Sequence, residues 1–554
     1  MRDYAKLADD YARSVVAGDI VACKWVRLAC QRHLDDLEKE WTYRYDPKRG
    51  AKVCKFIETL PHTKGKWGQT GETIRLEPWQ VFLTCVVFGW VKPNGKRRFR
   101  KVFLLIPRKN GKSILAAAWG LYMLCADGEF GAEVYSGATT EAQAWEVFRP
   151  ARLMADRTPP LVAHYGLQIN AKSLAKPEDG SRFAPIIGKP GDGSSPSCAI
   201  HDEYHEHATD EQVDAMETGM GAREQPLQII VTTAGDNLAG PCYQLQLDCQ
   251  KVLEGVVEND ELFAIIYTVD VDDDWSAEES LIKANPNYGV SVDAEFLRSQ
   301  QKAAIQSARK QGVFQTKHLN RWVSARNAYF NMEAWRKCGV DGLRLEDFEG
   351  RDCWIGLDLA SKVDIAALEI LIPDGRDYIR FGKYYLPEAC IERAENEHYR
   401  AWRNEGWITE TDGQIIDFDF IKDDILELCD KFTVLNVGYD PHQATMLVTS
   451  LMKENVPLIE FRPTVLNFSE PMKQLDGLIQ AGRIKHANDP VMTWMMSNVV
   501  AKMDAKDNVY PRKEREESKI DGPIALIMDV GLALQHDAED DISGFLSNPI
   551  SVRL

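Results

Sequence analysis

Three short stretches carry residue types and spacings suited to nucleotide chemistry. Pro107-Arg-Lys-Asn-Gly-Lys-Ser113 places a lysine and a hydroxyl directly after a glycine. Lys112 can reach the β- and γ-phosphates of a nucleotide, and the Ser113 hydroxyl can join a Mg²⁺ shell. The loop residues Arg108, Lys109, Asn110 and Gly111 can aim backbone N–H groups at phosphates from a helix start. The spacing G-x-x-x-x-G-K-[ST] is incomplete, because Ile106 stands at the first glycine position, and the competing reading is an exposed basic turn. Ser197-Cys-Ala-Ile-His-Asp202-Glu203 supplies the acids: Asp202 for the metal shell, Glu203 to polarise the attacking water. Thr232 and Thr233, which end the apolar run from Ile229, can sense the γ-phosphate. Gln80 is a candidate reader of adenine's edge. Arg108 and Arg223 compete as the arginine that stabilises the transferring phosphoryl group.

A second set is made of carboxylates. Asp358 and Asp440 each end an apolar run, and Asp521 precedes the helical run from Pro523 to Leu534. Three converging acids suit Mg²⁺ or Mn²⁺. Two such ions about 4 Å apart can activate a water and stabilise the leaving oxygen of a phosphodiester. Singly, each of these aspartates reads better as a turn former. Asp364 is a weaker ligand candidate. The cluster Asp537, Glu539, Asp540 and Asp541 rivals Asp521, but its density reads better as a solvated helix end.

The elements that must hold these residues follow from periodicity. Residues 1–50 repeat apolar positions at three- and four-residue steps (Leu7, Tyr11, Val15, then Val21, Trp25, Leu28, Leu34), which predicts helix. Residues 41–71 read as irregular. Apolar runs at 101–106, 133–138, 198–200 and 227–231 alternate with helical patterns, which predicts a largely parallel sheet. A helix is expected over 294–311. After a boundary within 325–350, strands at 353–358, 365–372, 378–385 and 434–440 predict a mixed sheet.

Composition bounds the alternatives. The chain has 554 residues, 44% hydrophobic and 27% charged, with 66 Lys+Arg against 84 Asp+Glu, a formal charge of −18. That balance excludes a protein that holds nucleic acid through global positive charge. It leaves local patches: Lys92, Lys96, Arg97, Arg98, Arg100 and Lys101, and a run from Lys502 to Lys519 with six basic residues among five acids. The longest apolar run, Val81 to Val91, is too short to span a bilayer, and the start lacks a hydrophobic export signal. Twelve scattered cysteines without a C-x-x-C pair read as reduced, packed thiols.

The order of these motifs resembles the large subunit of tailed-bacteriophage terminases, over nearly the whole chain. The resemblance is carried by Pro107–Ser113, His201-Asp-Glu-Tyr-His205, Thr232-Thr-Ala-Gly235, Asn320-Arg-Trp322, Gly356-Leu-Asp358-Leu-Ala, Tyr439-Asp440-Pro441 and Lys519-Ile-Asp521-Gly522. It implies an α/β chain: a P-loop, ASCE-type ATPase domain with its helical start at 1–330, a linker at 331–350, and an RNase H-like mixed α/β nuclease domain at 351–554. It implies ATP at Gln80, Arg108–Ser113 and Asp202, coupling through Thr232 and Thr233, and two Mg²⁺ or Mn²⁺ ions at Asp358, Asp440 and Asp521. It favours Arg108 over Arg223. The implied partners are double-stranded DNA, a small terminase subunit and the procapsid portal, with a pentameric ring as the working form in the host cytoplasm. A helicase-nuclease of DNA repair or restriction is the alternative within enzymes, although a second ATPase motif set is absent from the sequence. A non-catalytic DNA- or capsid-binding module is the alternative outside them.

Overall fold

The apolar segment before the phosphate loop is a strand, β1 (Lys101–Leu105), buried along four of its five residues. A computed structural model describes residues 2–188, 194–238, 240–323, 328–359, 365–392, 397–442, 444–504, 507–513 and 518–547. The chain divides into two compact units, residues 1–306 with 313–323, and residues 307–312 with 324–554.

In the first unit β1 joins β2 (Glu133–Ala138), β3 (Gln168–Ile169), β4 (Leu174–Lys176), β5 (Ser181–Ile187), β6 (Cys198–Asp202), β7 (Leu227–Thr232) and β8 (Leu262–Ile266). Their order is β8-β1-β7-β6-β2-β5-β4-β3. The first six run parallel, and β4 and β3 add an antiparallel edge. Continuous burial of β6, β7 and β8 fits strands covered on both faces. The order has one chemical consequence. β7 lies between β1 and β6, and the pairings Leu105 with Thr232 and Val231 with Asp202 bring all three strand ends to one edge.

Helix α1 (Tyr4–Ala17) buries the periodic positions Tyr11 and Val15, whereas α2 (Lys24–Glu38) buries Val26, Ala29, Cys30 and His33 and leaves the expected Trp25, Leu28 and Leu34 half-buried, with Val21 exposed before it. Residues 41–71 are more regular than their composition suggests, because they contain α3 (Pro47–Ile57) and α4 (Gly65–Thr70). Asp46 caps α3 by accepting from the Lys48 amide at 3.1 Å, and Pro47 opens it. Its buried stripe (Val53, Cys54, Ile57) is interleaved with lysines, which hides the period. α5 (Pro78–Gly89) is apolar almost throughout and lies buried, and α6 (Lys112–Cys125) follows the phosphate loop. The single helix expected over 294–311 is two, α7 (Ala294–Ile305) and α8 (Ala308–His318). No helix among the described residues is long and apolar enough to cross a membrane.

The second unit is built on β9 (Asp352–Asp358), β10 (Ala366–Asp374), β11 (Asp377–Pro387), β12 (Thr409–Thr411), β13 (Thr433–Tyr439), β14 (Leu458–Glu460) and β15 (Ile484–His486). The order is β12-β11-β10-β9-β13-β14, with β15 also on β11. β9, β10 and β11 form an antiparallel meander, and β13 lies parallel to β9. α9 (Pro490–Asn498) precedes a hairpin of β16 (Val499–Met503) and β17 (Val509–Lys513), and α10 (Asp521–Ser547) packs across the sheet. Gly356 permits that crossing, since a Cβ there would stand 2.2 Å from the Ala525 carbonyl oxygen.

Under this crossing sits a buried charge network. Arg380 donates to Glu369 (2.7 and 2.9 Å) and to Asp489 (2.9 Å), and the Tyr384 hydroxyl lies 2.8 and 2.9 Å from the two acids, with one proton to give to either. Burial pushes Glu369 up to about 7 against the pull of Arg380. Asp529, on α10, is fully buried and neither carboxyl oxygen has a hydrogen-bond partner. Desolvation and the nearby Glu369 charge push it far above the carboxylate range, so it is buried as the neutral acid.

Candidate functional sites

The phosphate loop is a strained turn held by its neighbours. Lys109 and Gly111 take left-handed backbone (φ 71 and 83), which delivers Lys112 as the first residue of α6. Lys112 is buried and donates to Asp202 and, at 3.0 Å, to Glu203 Oε1. The Ser113 hydroxyl donates to Asp202 Oδ2 at 2.7 Å. Four sequence-predicted residues thus meet at the edge where β1, β7 and β6 end. Desolvation opposes the Lys112 charge, but the two carboxylates overcome it and hold the amine above its usual range; Lys112 in turn pulls Glu203 down against its own burial. The Lys112 ammonium thus neutralises both acids at this strand edge.

Other predicted residues take different places. Asn110 is a brace: its side chain donates to the Pro107 carbonyl (3.1 Å) and Asn285 (2.9 Å), and accepts from the Asn287 amide (3.0 Å). Gln80 uses its carbonyl oxygen to cap the Glu77 amide (3.0 Å), so it cannot read adenine with both ends while that cap stands; its amide nitrogen faces Gly111. Arg108 is exposed, and its charge is felt by Glu203. Arg223 is tied to the carbonyls of Ser195 and Gly131 (2.7 and 3.0 Å), before β7 begins and away from the strand ends that hold Lys112 and Asp202. These bonds make it a structural clamp within its own unit. Thr232 and Thr233 are fully buried, and Thr232 contacts His205 through both the His205 amide and Nδ1 (3.1 Å each).

Sequence reading missed Asn285, Asn287, His205 and Lys317. Asn287 also accepts from Trp79 Nε1 at 2.7 Å, linking the loop to α5. The segment Asn285-Pro-Asn287 was the available signal, since two asparagines around a proline suit a tight bracing turn.

In the second unit Asp358 and Asp440 are neighbours by register, for Leu357 pairs with Tyr439 on the parallel strands β9 and β13. Asp440 accepts from the His442 amide at 3.0 Å. The path of α10 runs its first turn toward that strand edge. His536 meets Trp354, and Ala525 and Asp529 meet Gly356, so the helix runs antiparallel to β9 and Asp521 lies toward Asp358. Tyr510 on β17 faces the first two acids: its hydroxyl is raised by burial and then by the charges of Asp440 and Asp358. Oxygen donors of this kind match a hard divalent cation in chemistry. Among the described residues, no group of three His, Cys, Asp or Glu side chains is arranged around one ion position. Asp364 and the side chains of 537–541 lie outside the described residues.

Five of the six bases in the run at 92–101 are engaged in ion pairs. Lys92 pairs with Glu261, Lys96 with Glu224, Arg97 with Asp127 (2.8 Å), Arg98 with Asp36 (2.7 Å) and Lys101 with Glu217 (2.6 Å). Arg98 is fully buried against Trp41 and Phe99. In the later run Lys519 is buried, whereas Lys502, Arg512 and Lys513 stay exposed on the hairpin that carries Tyr510.

The chain matches two family models in succession. One, described as the terminase large subunit ATPase domain, covers residues 78–251, and the other, the terminase large subunit endonuclease domain, covers residues 256–537. It is 44% identical over 397 residues to "Protein YmfN" of Escherichia coli (strain K12), across 69% of this chain and 87% of that one. It is 27% identical over 521 residues to the terminase large subunit of Enterobacteria phage HK97, across 91% and 100%. The crystal structure of the HK97 bacteriophage large terminase aligns with a TM-score of 0.44 at 27% identity, covering 87% of this chain and 99% of that chain.

Proposed function

Because this chain belongs to the terminase large-subunit family, we propose a specific division of labour for the ATPase and endonuclease activities that the family entails. The ATPase unit drives double-stranded DNA into a procapsid, and the nuclease unit cuts the concatemer. The family uses a nucleotide and a divalent cation and works with DNA in a packaging complex. The finer assignments are ours: a small terminase subunit and a portal as partners, a pentameric ring as the working form, and the host cytoplasm as its place.

The meeting of Lys112, Ser113, Asp202 and Glu203 at one strand edge supports the motor reading most directly. On this reading ATP displaces the Lys112 amine from the acids toward the β- and γ-phosphates. The loop amides of 108–111 and the α6 N-terminus hold the phosphates. Asp202 and Ser113 hold the Mg²⁺, Glu203 Oε2 takes the proton of the attacking water, and Arg108 faces the γ-phosphate. Thr232 and Thr233 register its loss.

For cutting, Asp358, Asp440 and Asp521 would hold Mg²⁺ or Mn²⁺, and two ions there would supply an activated water and a stabilised leaving oxygen. Arg512, Lys513 and Lys502 position the phosphate backbone over that edge.

Two variants test the division. Glu203→Ala is expected to abolish ATP hydrolysis and leave Mn²⁺-dependent cutting of plasmid DNA. Asp440→Ala is expected to do the reverse. Loss of both activities in either variant, with its thermal unfolding unchanged, would refute separate sites.

A further inference from the structure

Lys317 touches both halves of the ATPase site. Its backbone carbonyl accepts from the Arg108 amide of the phosphate loop at 3.1 Å. Its ammonium lies 3.0 Å from His205 Nε2. On the other side of that ring, Nδ1 stands 3.1 Å from Thr232 Oγ1 and 3.2 Å from Glu203 Oε2.

These partners fix the form of the imidazole. An ammonium only donates, so the Nε2 facing it accepts. The Thr232 hydroxyl proton goes to the Thr233 carbonyl (3.0 Å), and its oxygen already accepts the His205 amide (3.1 Å). With Nε2 accepting, the imidazole proton sits on Nδ1, and the Thr232 oxygen can accept it while its own proton stays on the Thr233 carbonyl. The opposite tautomer could give Nε2–H to Glu206 Oε1, 3.1 Å away. It would then turn an N–H toward the Lys317 ammonium, set a bare Nδ1 3.2 Å from the Glu203 carboxylate, and satisfy that Nδ1 only by drawing the Thr232 proton off the Thr233 carbonyl. Glu203 Oε1 is held by Lys112, while Oε2 is buried without an aligned hydrogen bond. When phosphates draw Lys112 away, the His205 N–H is the donor left beside that carboxylate.

We propose that Lys317 and His205 are positioning residues for Glu203. Lys317 fixes the Nδ1–H form of His205, and that N–H orients the carboxylate for the attacking water. The inference rests on Glu203 as the water-activating acid. It also links occupancy of the loop to the glutamate, because a shift of the Arg108 amide acts on the residue that sets His205.

The test is steady-state ATP hydrolysis by the full chain as wild type, E203Q, K317M, H205A, H205N and H205A/K317M, each checked for thermal unfolding. K317M and H205A are expected to lower kcat on the order of tenfold, with KM for ATP within about twofold. The double variant should be no slower than H205A, since both act through one hydrogen bond. H205N places an amide N–H near the Nδ1 position and should recover most of kcat. K317Q carries the comparison where K317M melts below the assay temperature. Wild-type kcat in K317M and H205A with E203Q inactive overturns the proposal, as do multiplicative losses in the double variant. Wild-type turnover by E203Q overturns instead the assignment of Glu203 on which it rests.

Discussion

Asp529 shows how much a single side chain can set against its own fold. Arg380 is already shared by Glu369 and Asp489 (2.7 and 2.9 Å), so the third buried acid has no cation left to it. Its folded-state carboxyl is raised far above the 3.8 of an exposed aspartate. The stability tied to its protonated form is therefore fully present below about pH 4 and is lost as pH rises through the folded value. Asp529→Asn removes that dependence. Thermal unfolding followed between pH 5 and pH 8 should find the variant stabilised by roughly 1–3 kcal/mol at the alkaline end and by less at the acid end; a uniform shift would mean that Asp529 does not titrate with folding. Nothing in the sequence marked this residue, since an aspartate in a helix gives no sign of the partners a distant strand supplies. The phosphate loop was legible for the opposite reason: its chemistry lies in consecutive residues.

Elements place these residues through close approaches. α10 crosses β9 where Gly356 has no side chain, and a methyl group there would meet backbone at 2.2 Å. Gly356→Ala should lift the helix from the strand, cost about 1–3 kcal/mol of stability, and lower DNA cutting while ATP hydrolysis persists; plasmid nicking beside an ATPase assay reads both. The phosphate loop depends on the turn at 285–287 in the same way. Asn287→Ala deprives Trp79 Nε1 of its acceptor and the Asn110 carbonyl of a donor. It should raise KM for ATP several-fold, measurable by nucleotide titration, with cutting intact. The sequence placed β1, β6, β7, β9 and β13 within a residue or two, because apolar runs ending in a chemical residue are strong local signals. It missed α3 and α4 and joined α7 to α8, where lysine-rich faces masked the period.

At the scale of the molecule, the acidic balance acquires a structural reason. Five bases of the densest basic run are committed to acids within their own unit. Exposed cations near the cutting edge reduce, among the described residues of that run, to Lys502, Arg512 and Lys513. DNA binding should accordingly depend weakly on salt. Neutralising about three phosphates gives a slope near −3 in log K against log salt, to be read by fluorescence anisotropy; a slope steeper than about −6 would require a basic surface elsewhere. Removing divalent cation with EDTA should silence both activities, and Mn²⁺ should restore cutting.

The sequence by itself determined the kind of chemistry and the order of the two sites, since Lys112, Asp202, Asp358, Asp440 and Asp521 each stand at a recognisable end of a strand or start of a helix. Only the tertiary structure decided which polar groups serve those sites and which serve the scaffold. It turned Asn110 and Arg223 into braces, spent five bases of the basic run on ion pairs, and set Lys317 against His205, 112 residues away, whose other ring nitrogen faces the Glu203 carboxylate. The reason is physical: a residue's type fixes what it can donate or accept, but its partner is chosen by strand order and helix crossing, which depend on contacts far apart in the chain.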